Sequence, residues 1–237
     1  MNIIIIGGTS GIGKALYDKY VVKNNRIAVI GRRSDLLEKL YRENPCNTII
    51  AKADVTIQSE IDKAIEYICK ELDNIDLAIV CSGIGNINSS LEYSIERPTI
   101  DTNVTGWTFC IDKLYNIFNN QGHGHLVAIT SVGGLRGEPM SPAYSASKAY
   151  QINYTEALRK KSFKTGSKIV VTDVRPGLVD TAMAKGEGLF WVMPVEKVAQ
   201  QIYNAIRKKK SKAYVTKRWH ILAIINKILP FCLYKRI

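Results

Sequence analysis

Residues 2–13 read NIIIIGGTSGIG. Asn2–Ile6 is a run of β-branched residues, the composition of a strand. GGTSGIG, residues 7–13, is a turn, and Lys14–Val22 behind it has the composition of a helix. Gly7, Gly11 and Gly13 form the spacing G-x-x-x-G-x-G. Glycines at such a turn let backbone N–H groups and a helix N-terminus approach a pyrophosphate. Glycines alone would serve a plain tight turn equally well. Their place between a strand and a helix favours a dinucleotide site.

Working outward, the same alternation continues. Strands are expected at Asn2–Ile6, Arg26–Ile30, Thr48–Ala51, Leu77–Val80, His125–Thr130 and Lys168–Asp173, with a weaker one at Ala213–Val215. Helical patterns separate them; Ile61, Ala64, Ile65 and Ile68 repeat at i, i+3, i+4, i+7. Strands that are apolar throughout and alternate with helices predict a parallel sheet covered on both faces. The expected fold is α/β, a single Rossmann-type doubly wound sheet of about seven strands over residues 1–215, with 216–237 as a tail. Residues 181–194 fit neither period and read as a loop or short helices.

The end of the second strand faces an adenosine ribose in such a sheet, and an acidic residue there selects NAD. Here it reads Gly31-Arg32-Arg33. Two guanidiniums suit a 2′-phosphate, so NADP(H) is expected and NAD(H) disfavoured. Asp54, after the third strand, is placed to accept from an adenine amino group. Further on, SPAYSASK at 141–148 sets Tyr144 and Lys148 four residues apart, on one face of a helix. A phenol ordinarily titrates near 10, and a neighbouring cation favours its ionised form.

Composition narrows the class. A chain of 237 residues, 46% hydrophobic, suits one domain with a full core. The five cysteines stand singly, at spacings that suggest neither disulfides nor zinc, so no metal is expected and a reducing, cytoplasmic setting is. The apolar run at 3–6 lacks the basic flank and length of a signal peptide. The net charge of +12 is local: residues 197–237 hold 11 of the 33 basic residues and none of the 21 acidic ones, leaving 22 against 21 elsewhere. Nucleic acid is not expected, because no reading motif accompanies the charge.

Taken in order, GGTSGIG, Asp54-Val55, CSG at 81–83, Asn103 in NVTG, Ser131 in ITSVGG, YSASK at 144–148 and RPGLVDT at 175–181 resemble the short-chain dehydrogenase/reductase family across about residues 1–215. The resemblance implies an NADP(H)-dependent interconversion of a carbonyl and an alcohol. Tyr144 would be the acid/base, Lys148 would lower its pKa and hold the nicotinamide ribose, and Ser131 would orient the substrate oxygen. Asn103 would hold a helix bend and a water linking Lys148 to solvent. The implied cofactor residues are Gly7, Thr9, Ser10, Gly11, Ile12, Gly13, Arg32, Arg33, Asp54, Val55, Ser82, Gly83, Tyr144, Lys148, Pro176, Gly177, Val179 and Thr181. A homodimer or homotetramer through helices at 98–119 and 142–165 is implied as well. The chain departs from the family pattern at Ile6, where Thr is common, and at Val80-Cys81-Ser82-Gly83, where two asparagines are usual. The alternative is a non-catalytic dinucleotide-binding sensor; such proteins usually lose the tyrosine or lysine kept here.

On the substrate side, Leu189, Phe190, Trp191, Val192 and Met193 are consecutive and apolar, with Gly186 and Gly188 as hinges. They read either as a lid for an apolar, lipid-like substrate or as packing on the core or a neighbouring subunit. In the tail, Trp219, Leu222, Ile225, Ile228 and Leu229 are expected on one helical face, with His220, Ala223, Asn226 and Lys227 opposite and basic residues at both ends. Two readings stand: a basic amphipathic helix on the inner face of an anionic membrane, or a cover over the substrate pocket or a subunit interface.

Overall fold

The structure is a computed structural model of the chain and describes residues 1–23, 25–184 and 190–235. Seven parallel strands form one sheet: β1 Asn2–Ile6, β2 Arg26–Gly31, β3 Thr48–Lys52, β4 Leu77–Val80, β5 His123–Ile129, β6 Lys168–Pro176 and β7 Lys212–Val215. Their order is β3-β2-β1-β4-β5-β6-β7. The order in which the chain lays down strands reverses between β1 and β4, and a crevice at such a switch point is where α/β sheets bind ligands.

β1 shows why both faces are covered. Ile4 and Ile6 enter the core beneath α3 (Gln58–Glu71) and α5 (Trp107–Gln121). Ile3 and Ile5 enter the opposite core, beneath α1 (Gly11–Val21), α2 (Ser34–Glu43) and α7 (Val195–Arg207). All four are at most 1% exposed, so truncating any one to Ala would cost about 2–5 kcal/mol.

The expected strands are all present, and β6 runs three residues further, to Pro176. The charges that hid this extension are buried together. Asp173 and Arg175 pair at 2.6 Å with both side chains almost wholly inaccessible. Thr130 Oγ1 donates to Asp173 at 2.7 Å, and Arg175 Nη1 donates to Tyr214 Oη at 2.8 Å.

The helix expected at 98–119 is longer and interrupted. α4 (Tyr93–Ile100) continues into a π-helical stretch, Asp101–Gly106, before α5. α6 spans Pro142–Lys164. The tail folds as α8 (Lys217–Ile228) and α9 (Phe231–Tyr234).

The expected faces of the tail helix are corrected. Ala223 is 4% exposed, whereas Ile225 and Ile228 are 45% and 74% exposed. Trp219 and Leu222 turn partly inward with Ala223. The reason is the surface the helix meets: the Trp219 indole lies on Gly177, where any Cβ would collide with it, and α8 rolls to bring that ring down. Leu189 and the hinge glycines Gly186 and Gly188 lie outside the described residues.

Candidate functional site

The glycine turn closes around itself. Gly7 has φ +82°, and a Cβ at Gly13 would strike the Gly7 carbonyl, so both positions demand glycine. Ser10 precedes α1 in extended conformation and makes no side-chain cap, leaving the first N–H groups of the helix free for an anion. Ile12 packs partly on the core. Thr181 borders the same turn, its Cγ2 3.3 Å from where a Gly11 Cβ would stand.

Arg33 leans back over this turn. Its Nη2 donates to Thr9 Oγ1 at 2.9 Å and Ser10 Oγ at 2.7 Å. Arg32 instead reaches Asp54 at 3.3 Å. Burial acts to raise the Asp54 carboxyl, but the Thr56 N–H and hydroxyl, with Arg32, hold it below its ordinary value. Ser82 Oγ is buried with no partner among the described residues. A glycine cradle, an uncapped helix start, an orphan hydroxyl and a guanidinium beside two hydroxyls together fit a dinucleotide. Val55 and Val179 are 7% exposed and their side chains belong to the two cores.

The four residues expected to do chemistry meet at the C-terminal ends of β4, β5 and β6. Ser131 follows β5 and caps a short 3₁₀ turn, accepting from the Gly133 N–H at 3.0 Å. Tyr144 and Lys148 share a face of α6, with Nζ 5.8 Å from the tyrosine ring centre. Gly83 sits 3.3 Å, by its missing Cβ, from both Asn103 Oδ1 and Lys148 Nζ. Asn103 is fully buried. Its Oδ1 accepts from the Ile84 N–H, and its Nδ2 donates to the Ile84 carbonyl and to Ser147 Oγ, at 2.7–3.0 Å. The π-helical turn is thereby tied to α6 at the site, a setting such turns favour.

Burial pushes the Tyr144 phenol up and the Ser131 hydroxyl pulls it back. Lys148 is itself 4% exposed. Burial brings its pKa down to about 8, against the opposing pull of Cys81 and Asp173. The Asn103 main-chain carbonyl accepts from Gln151 Nε2 at 2.9 Å. Gln151 Oε1 in turn accepts from Lys148 Nζ at 2.9 Å. A fully buried amide links the two groups.

Sequence reading passed over Gln151, although it lies three residues after Lys148 on the same helix. It also passed over Glu96, whose carboxylate accepts from the Ala143 N–H at 2.9 Å and from Asn88 Nδ2 at 2.6 Å. Glu96 thereby stabilises the start of α6, one residue before Tyr144.

The segment after β6 meets the tail in an aromatic cluster. Phe190, Trp191 and Trp219 form a cluster with ring centres 5.4–6.3 Å apart. Its base is closed where Val179 pairs with Met193. The apolar run thus packs on the tail at Trp219. The tail then crosses to the loop between Ser131 and Tyr144. Arg136 donates to the Leu229 carbonyl at 2.5 Å and stacks on Tyr234, whose hydroxyl donates to the Gly137 carbonyl at 2.7 Å.

The chain matches the family model described as short chain dehydrogenase over residues 1–189. An uncharacterized oxidoreductase of Mycobacterium tuberculosis is 29% identical over 246 aligned positions, covering 99% of this chain and 96% of that protein. A serine dehydrogenase complexed with NADP+ has a TM-score of 0.83 at 22% identity, covering 91% of this chain and 94% of that one. A short chain dehydrogenase from Burkholderia cenocepacia in complex with NADP reaches 0.85 at 17% identity, covering 99% and 96%; these two likenesses speak for the fold. With the family model spanning most of the chain and the site assembled at its switch point, the protein belongs to the short-chain dehydrogenase family and is an oxidoreductase of that kind.

Proposed function

We propose that the protein interconverts a carbonyl and an alcohol with NADP(H), on an apolar or lipid-like substrate, with Tyr144 as acid/base. The observation that carries this is the grouping of Ser131, Tyr144, Lys148 and Asn103 beside a glycine turn topped by Arg33. Structural neighbours bound to NADP support the cofactor. Thr9, Ser10 and Arg33 would hold a 2′-phosphate; Ser82, Gly83 and Thr181 would border the rest of the dinucleotide.

Bound NADPH supplies the hydride that reaches the carbonyl carbon. Tyr144 Oη–H donates its proton to the oxygen as negative charge develops there, and Ser131 Oγ donates a hydrogen bond to the same oxygen. Oxidation runs the same proton back to Tyr144. Lys148 is held at its place by Gln151 and the Ile129 carbonyl, to which Nζ donates at 2.9 and 3.3 Å. Its charge stabilises the phenolate left after the transfer. The Phe190–Trp191–Trp219 cluster excludes water from the substrate side and favours hydrocarbon.

The test is a fluorescence titration of NADPH and NADH, then turnover of ketones and aldehydes of rising chain length. Tyr144→Phe should lower kcat by about 10²–10⁴ and leave NADPH affinity within a few-fold. Retained turnover in that variant would remove Tyr144 from the mechanism.

A further inference from the structure

The tail helix is apolar in two phases. One phase, Trp219, Leu222 and Ala223, turns toward the protein. The other, Ile221, Ile224, Ile225 and Ile228, follows i, i+3, i+4, i+7 and is 45–74% exposed. Phe231 and Leu233, 72% and 50% exposed, extend it. Single exposed apolar residues are ordinary, but a continuous band this size marks an interaction surface.

Charge identifies the partner. Arg218, Lys227 and Lys235 flank the band, the run 207–212 lies upstream, and no acidic residue follows Glu196. A second copy of this surface would bring like charges together, whereas anionic lipid headgroups neutralise them. Geometry sets the mode of contact. α8 has 12 residues, about 18 Å of helix, against a hydrocarbon core of about 30 Å. No helix among the described residues is long and apolar enough to cross a membrane. Trp219 on Gly177, Arg136 on Leu229 and Tyr234 on Gly137 hold the segment flat against the protein.

We infer that residues 217–235 dock the protein on an anionic lipid bilayer, with the isoleucine stripe and Phe231 in the boundary between headgroups and acyl chains. Because Trp219 lies on Gly177 and against Trp191, docking turns the mouth of the site toward the lipid. Bilayer contact stands on this surface alone; entry of substrate from that face rests on the reductase reading.

The experiment is flotation of the full chain with phosphatidylcholine vesicles, with and without phosphatidylglycerol, at low and high salt. Each basic residue at an anionic surface is worth roughly fivefold in partition, so the three flanking cations predict on the order of a 100-fold preference for the anionic vesicles, lost at high salt. The variant Ile224→Ser, Ile228→Ser, Phe231→Ser should lower partition by on the order of tenfold or more, with the melting temperature and NADPH affinity of the parent. Brominated lipids should quench Trp191 and Trp219, the two tryptophans outside the core. The inference is overturned by absence of partition, by equal binding to neutral vesicles, by unchanged binding of the variant, or by a dimer that the variant abolishes. Should the variant not fold, the lipid and salt dependence of the parent still decides. None of these readouts requires a substrate, so a failed turnover screen and a failed flotation are separate results.

Discussion

Lys148 makes the stability of this protein rise with pH in a window far above the one in which its depressed carboxylates act. An ordinary lysine titrates near 10.5; burial brings Lys148 to about 8. The gap corresponds to about 3 kcal/mol. Below about pH 8 both folded and unfolded chains hold the proton, and the whole cost of burying an ammonium is present. Between about 8 and 10.5 the unfolded chain holds the proton and the folded chain does not. Unfolding then takes up a proton, and stability rises with pH. Above about 10.5 both forms are neutral and the cost is gone. Lys148→Met removes this term. It also leaves Gln151 Oε1 and the Ile129 carbonyl without their donor, a loss of about 1–3 kcal/mol that does not vary with pH. The slope therefore isolates the lysine where a single-pH comparison would not. Urea unfolding of parent and variant between about pH 7.5 and 10.5 should show the parent gaining about 3 kcal/mol relative to Lys148→Met. In thermal melts this is about 6–12 °C. A flat difference across that window would refute the desolvated ammonium and the order of effects argued for the site.

Other perturbations separate neighbouring roles. Arg33→Ala should weaken NADPH roughly 10- to 100-fold by titration, leave NADH nearly unchanged, and exceed the effect of Arg32→Ala, which Asp54 already engages; equal losses for both cofactors would remove the 2′-phosphate role. Gln151→Leu removes an acceptor that favours the Lys148 ammonium, so the basic limb of the pH–rate profile should move to lower pH; a limb that stays put would reduce Gln151 to packing. Asp173→Ala strands the buried Arg175 and should cost about 3–5 kcal/mol, or about 6–20 °C in melting temperature, whereas Asp173→Leu with Arg175→Met should fall close to the parent; a loss under about 1 kcal/mol for the single variant would contradict the buried pairing.

The sheet was legible because its strands carry one message. Ile3–Ile6 are apolar on consecutive positions, a pattern compatible only with burial on both faces, and GGTSGIG follows without a spacer. Thr9, Ser10 and Arg33 were named separately, and the fold brings them into one hydrogen-bonded corner. What escaped reading depends on partners distant in sequence. Asp173 and Arg175 read as the end of a strand because charges are rarely buried, and only their mutual pairing permits it. The π-helical turn at 101–106 breaks the 3.6-residue periodicity that a sequence pattern reveals, and the clamp of Gln151 closes on Asn103 within it. The tail misled for a different reason. With apolar residues in two phases, its pattern did not specify which phase would turn inward; Gly177, 42 positions upstream of Trp219, decided that.

The crossing of the tail over the loop between Ser131 and Tyr144 has a consequence for synthesis on the ribosome. The sheet draws its strands from Asn2 to Val215, and a domain folds as a unit once its chain has emerged. The tail crossing needs Leu229 and Tyr234 to reach Arg136 and Gly137. The last strand of the sheet ends at Val215, so the whole sheet is made before this crossing can close, and at about 5–20 residues per second the interval from Val215 to Tyr234 lasts about one to four seconds.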